Sequence, residues 1–210
     1  ISKGVISLSA PIILAMFFHS LLGIVDTFWV GKISSLAVAA VSMAWPIIFA
    51  AFALMSGIAT GCTALVARFV GAKDFISATT LAHNSVFLGV VLSVFLTIGG
   101  IFSMRLLFEF LGATDTVLLY AISYTKIIFY GTIFSTSLFI LGSILRGEGD
   151  TKTPMKIGIT INVVNMVLDP IFMFTFGWGV QGAALSTIFS NFLGVLFYTM
   201  HFMNGKSLIK

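Results

Sequence analysis

Residues 162–172 read NVVNMVLDPIF: two asparagines, an aspartate and a proline inside an otherwise apolar run. The flanking residues extend that run over about 153–176, enough to cross a hydrocarbon core of roughly 30 Å as a helix. Five more stretches of this kind lie at about 5–30, 37–67, 76–107, 116–145 and 180–204. With 59% hydrophobic residues, 9% charged residues and a mean hydropathy of +1.13, the 210-residue chain is too apolar for a soluble domain. The expected fold is all-α, a polytopic membrane bundle of six transmembrane helices forming one unit over residues 1–210. The second to fourth stretches exceed about 20 residues and are expected to tilt or to project beyond the bilayer. Their apolarity is continuous instead of alternating with period two, which argues against a β-barrel.

The net charge of +4 raises nucleic-acid binding, but the charges are distributed as topology signals. If Lys3 is cytoplasmic, six crossings place Lys3, Arg68, Lys73, Arg146, Lys152, Lys156, Lys206 and Lys210 on one side. The other side holds Lys32 and Arg105, and Lys126 falls inside the fourth stretch. This bias predicts cytoplasmic termini, with anionic lipid headgroups as the partners of the basic residues and no role for nucleic acid. The uncharged FGWGVQG connection suits a tight extracellular turn with Trp178 at the interface. Gly57 and Gly61 form a small-xxx-small pair expected to pack against a neighbouring helix. Cys62, the single cysteine, excludes an intrachain disulfide and reads as a small packing residue. The chain opens on Ile1, without an evident cleavable signal, and is expected to be a fragment.

Of seven acids, Asp74, Glu109, Asp115, Glu148 and Asp150 fall at loops or span ends. Asp26 and Asp169 lie within apolar runs, where a charge costs about 2.5–3.5 kcal/mol near the bilayer centre. Each therefore marks a functional site facing the bundle interior; the alternative is a neutral, hydrogen-bonded acid that joins helices. Counting along the spans puts Asp26 roughly 6 Å and Asp169 roughly 10 Å below the outer helix ends, with Thr187 of the returning span at similar depth. Asn165 and Asp169 are spaced i, i+4 and share a helix face, and Asn162 precedes Asn165 by three. Pro170 lacks an N–H, so the Met166 carbonyl loses its helical partner and the helix is expected to kink. Carboxylate, amide oxygen and freed carbonyl together suit a proton or a small hard cation. For the asparagines, interhelical hydrogen bonding is the plainer alternative. Pro11 is expected to bend the first helix in the same way, freeing the Ser7 carbonyl.

His19, two turns before Asp26, is a candidate proton relay or substrate contact, or a satisfied structural histidine. Lys126, with Tyr124 and Tyr130 nearby, either snorkels outward, pairs with a carboxylate or reaches a central cavity. No nucleophile–base pair, metal-ligand cluster or phosphate loop is visible, so an enzyme is not expected, nor is a cofactor beyond a coupling ion.

Four stretches occur in one order: SLSAPIILAMFFHSLLGIVDTFWVG, ATGCTALVARFVGAKD, ILRGEGDTKTPM and NVVNMVLDPIF. With them the chain resembles the multidrug and toxic compound extrusion (MATE) family over its whole length, most of all the prokaryotic DinF-like branch. The resemblance implies the N-terminal six-helix lobe of a twelve-helix transporter, completed by a second lobe. It implies export of amphipathic, often cationic, small-molecule drugs in exchange for H⁺ or Na⁺ across a prokaryotic plasma (inner) membrane. It also implies a cation site, Na⁺ included, of Asp26, Asn165, Asp169 and Thr187, with the Ala183 carbonyl as a further ligand, and hinges at Pro11 and Pro170. The LRGEGDTKTP loop matches a signature read as structural. Two alternatives remain: a lipid-linked saccharide flippase of the same superfamily, for which only Lys126 offers a cationic cavity, and a non-transporting scaffold or channel subunit.

Overall fold

The structure is a computed structural model describing residues 2–205 and 207–209, with side chains from Pro11 onward; Ile1, Lys206, Lys210 and the side chains of Lys3 and Ser7 lie outside it. Among the described residues the chain is helical: α1 (Ser2–Ile33), α2 (Ser35–Gly71), α3 (Phe75–Phe110), α4 (Asp115–Tyr130), α5 (Thr132–Gly147), α6 (Lys152–Pro170), a π-helical turn (Ile171–Thr175) and α7 (Gly179–Met203). Five of these segments are long and apolar enough to span a membrane, and the α4–α5 pair makes a sixth.

Its polarity is that of a bundle in lipid. The buried positions of α2 are mostly small, Ala37, Ala40, Ala44, Ala51, Ala59 and Cys62 among them, while Ile76, Phe102 and Phe110 stand exposed. Between helices in lipid there is no hydrophobic drive, so small residues that let backbones approach are what hold them together. Gly57 and Gly61 do not serve that purpose within this chain. Both are exposed, with open space where a Cβ would stand, because α2 turns the opposite face, Met55, Ala59, Cys62 and Val66, inward. The close approaches fall elsewhere, at Gly89 against Ile140, Gly100 against Phe129 and Gly182 against the backbone of Phe172 and Met173.

The helix ends follow local chemistry. Ser34 is the one residue between α1 and α2; it is extended, and its hydroxyl accepts from the Ala37 N–H. Asp74 caps α3 by accepting from the Ser77 N–H at 3.1 Å, and those Ser77 bonds hold its carboxyl below the ordinary range. Gly149, at φ +91°, ends α5 and turns the chain so that Asp150 accepts from the N–H groups of Lys152 and Thr153, both at 3.0 Å, at the start of α6. α2 packs on α3, α4 and α5, whereas α1 leans chiefly on α6, which packs in turn on α7.

The fourth expected span is broken. α4 and α5 meet at Gly131 with a 49° bend. A Cβ there would stand 2.3 Å from the Ile188 side chain, and the neighbouring Phe129 carbonyl accepts from the Thr97 hydroxyl at 2.8 Å. The two prolines differ in helix continuity. α1 is one continuous helix through Pro11, while Pro170 closes α6 and passes into the π-helical turn. Beyond it Phe172, Phe176 and Trp178 cluster, with Trp29 meeting Phe174 at 5.9 Å. This is an aromatic belt of the kind that sits at a membrane interface.

Two predictions follow from these contacts. Gly182→Ala presses a methyl onto backbone that cannot rotate away, so it is expected to lose about 1–3 kcal/mol in detergent melts of the full-length protein. Gly158→Ala, facing open space, serves as the unchanged control. For Asp150, burial alone pushes the carboxyl up, but the Thr153 and Lys152 hydrogen bonds outweigh it and hold the group below its ordinary value of 3.8. A depressed carboxyl contributes stability above that value and loses it as pH falls through the folded-state value. Asp150→Ala is therefore expected to lower stability by about 0.5–1 kcal/mol at neutral pH, the low range reflecting solvent exposure. The difference from the parent is expected to begin shrinking as pH falls below about 3.8 and to vanish only below the lower folded-state value.

Candidate cation site

The spacing of α6 puts Asn165 and Asp169 on one inward face, and α7 supplies their partner. Gly182 lets α7 touch the backbone just beyond Pro170. Ser186, one turn further along α7, then arrives against Asp169, one turn back along α6. The Ser186 hydroxyl donates to Asp169 Oδ1, Asn165 Nδ2 donates to the same oxygen at 3.3 Å and to Ser186 Oγ at 3.1 Å. Asp169 and Ser186 are fully buried and Asn165 is 1% exposed.

Asp26 completes the group from α1. It is half-buried and stands beside Asp169 across the α1–α6 contact, near enough for the two carboxyls to interact directly. Tyr124 of α4 is buried, within electrostatic range of both acids. Asn162 is buried one turn back along α6. His19 is exposed on α1, and Lys126 is exposed with its Nζ 6.0 Å from the Tyr130 ring centroid. Among the described residues neither belongs to a hydrogen bond of this group.

On α7, the Ala183 carbonyl accepts from the hydroxyls of Ser186 (2.8 Å) and Thr187 (3.0 Å). The half-buried Thr187 is thus engaged with Ala183, while Ser186 is the hydroxyl on the carboxylate. Sequence reading overlooked Ser186: a serine in an apolar helix is ordinary, and only its i, i+4 relation to Gly182 hints that it faces α6.

Among the described residues, three buried oxygens, Asp26 Oδ1, Asn165 Oδ1 and Asp169 Oδ2, have no hydrogen-bond partner. Among them, too, the one ion pair is Arg105–Glu109, so none of the described basic residues pairs with either acid. Two carboxyls in low dielectric without a counter-charge cannot both stay ionised and uncompensated. An all-oxygen set of carboxylates, amide and hydroxyl fits a proton or a hard cation and suits soft transition metals poorly.

Known proteins share this architecture. The MatE family model matches residues 11–171. The multidrug export protein MepA of Staphylococcus saprophyticus is 29% identical over 209 residues, covering 99% of this chain and 46% of its own. A probable multidrug resistance protein NorM of Thermotoga maritima is 31% identical over 219 residues, covering 100% and 47%. A solved MOP-superfamily transporter from Pyrococcus furiosus superposes with a TM-score of 0.95 at 31% identity, over 99% of this chain and 46% of that one. The chain spans about half the length of the relatives it matches. A shared helical lobe and a family match over most of its residues lead to one assignment: the chain belongs to the MatE family.

Proposed function

We propose that this chain forms one six-helix lobe of a multidrug exporter that exchanges H⁺ or Na⁺ for amphipathic, often cationic drugs, with a second six-helix lobe completing the drug path. The observation that carries this reading is the pairing of half-buried Asp26 with fully buried Asp169, whose open acceptor oxygens have no basic partner among the described residues. Its support from outside the chain is the likeness to MepA and NorM, named as a multidrug export and a probable multidrug resistance protein. The exchanged ion is cargo: Asp169, Asn165 and Asp26 hold it, and Ser186 orients the Asp169 carboxylate.

Asp26 is the single acid of α1, and α1 leans on α6 more than on α2. Occupancy by a proton or Na⁺ cancels repulsion between Asp26 and Asp169 and favours α1 close to α6. An empty, ionised pair favours their separation. Drug arriving at the lobe thereby competes with the cation through the position of α1. Arg68, Lys73, Arg146, Lys152 and Lys156 at one end, against Lys32 and Arg105 at the other, support a cytoplasmic Lys73 end in a prokaryotic inner membrane.

Asp169→Asn and Asp26→Asn in the full-length transporter are each expected to cut ion-gradient-driven drug export from proteoliposomes by at least about tenfold. A barrier change of about 1.4 kcal/mol corresponds to that factor. Export at the parent's rate by either variant refutes that acid's coupling role. A second readout is independent of transport. Saturating cation is expected to stabilise the parent by about 1.4 kcal/mol at ten times its dissociation constant, and Asp169→Asn is expected to lose that response.

A further inference from the structure

Glu148 lies outside the acid group yet is saturated with donors. In the connection between α5 and α6, it accepts from the Ser207 hydroxyl at 2.5 Å and from the backbone N–H groups of Leu208 and Ile209, each at 3.2 Å. Ser207 and Ile209 are buried, while Leu208 is exposed. Ile209 plugs its side chain into an apolar socket of Cys62 and Val66 from α2, Ala78 and Ala82 from α3, and Ile140 and Ile144 from α5. The segment leaving α7 is therefore strapped down by a polar clamp and an apolar plug together. Hydrogen bonds to a charged acceptor are roughly twice as strong as neutral ones, so the clamp holds the strap's backbone while the plug holds its side chain.

The clamp joins the end of α7 to the α5–α6 turn. Glu148 caps the end of α5, four residues before α6 starts at Lys152, and Ser207 lies four residues after Met203, where α7 ends. The turn feeds α6 through Asp150, which accepts from the N–H groups of Lys152 and Thr153. α6 and α7 carry Asn165, Asp169 and Ser186 toward their other ends, with Asp169 roughly 25 Å along α6 at 1.5 Å per residue. α7 is thus fastened to α6 at one end by the Asp169–Ser186 contact, and at the other to the turn that leads into α6 by Glu148. A helix is stiff along its axis, so the register of α7 against α6 at one end constrains it at the other.

We propose that Glu148 is a positioning residue for the cation site. By clamping the strap it fixes α7 against α6, and with it the placement of Ser186 against Asp169. Ion occupancy, by reciprocity, alters how tightly the strap is held. This inference rests on the cation reading of the Asp26–Asp169 group.

The test uses the full-length transporter in nanodiscs. Hydrogen–deuterium exchange reads the Leu208 and Ile209 amides, and ion-dependent tryptophan fluorescence reads cation binding, Na⁺ and pH steps being the probes. Glu148→Ala is expected to speed exchange of both amides about tenfold and to weaken ion binding by a similar factor, on the scale of one lost charge-assisted bond. Glu148→Gln, which keeps one acceptor oxygen, is expected to fall between. In the parent, saturating ion is expected to slow exchange at the same two amides. Parent-like exchange in Glu148→Ala overturns the clamp. Faster exchange with unchanged ion affinity overturns the coupling to the site while leaving the cation reading standing. A parent protein without any ion-dependent response overturns both, which separates failure of the clamp from failure of the site.

Discussion

The polar contacts between α6 and α7 are arranged around a carboxyl, Asp169, that is fully buried and has no basic partner among the described residues. Burying a charge in a low-dielectric interior is tolerable only if it is neutralised or met by a counter-charge. Here Asn165 and Ser186 donate to one carboxyl oxygen and leave the other open. Half-satisfaction of this kind is unfavourable for stability alone. It makes sense where the missing partner comes and goes. Asp26 sharpens the demand, because it brings a second carboxyl to the same place from a helix held less closely to α2 than its one-residue connection would suggest.

The packing around the acids serves their placement. Pro170 withholds an N–H, and the chain responds by loosening its pitch into a π-helical turn instead of ending. π-helical segments are frequent at functional sites because they re-aim side chains without surrendering the helix. Gly182 then lets α7 lie against that turn, which brings Ser186 to Asp169. A similar device, glycine admitting a neighbour, recurs at Gly131, where the bend in α4–α5 takes in Ile188 of the same α7. Thus α7 is seated by two glycines on two different helical segments, one on each side of its hydroxyl pair.

Much of this was legible in the sequence, and the limits have physical causes. Long apolar runs announce helices because a bilayer enforces length and backbone satisfaction. Asn165 and Asp169 announce a face because i, i+4 spacing is fixed by helical geometry. The Gly131 break was not legible, since glycine is common in membrane helices and only Ile188, distant in sequence, shows why this one bends. Gly57 and Gly61 meet no neighbour within this chain for the converse reason: their spacing is compatible with packing, but orientation about the α2 axis is settled by Ala59, Cys62 and Val66 on the other face. Ser186 was hidden because a hydroxyl one residue from Thr187 differs from it by about 100° around the helix, and sequence cannot say which of two neighbours looks inward.

The same geometry explains why the acids and the glycines belong to one argument. A cation that enters and leaves must change the spacing of the carboxyls that hold it, so at least one wall of the site has to move. α6 and α7 are poorly suited to be that wall, being locked by Gly182 at one end, while at the other the segment after α7 is tied by Glu148 to the turn that leads into α6. α1 is the helix free of such fastening: its packing rests mainly on α6, and Ile13, Met16 and Phe17 stand exposed on it. Under the proposed cation reading, a fixed pair of helices presenting Asp169 and a movable one presenting Asp26 together make ion occupancy a mechanical variable. On that reading the charge on two side chains sets the position of a whole helix.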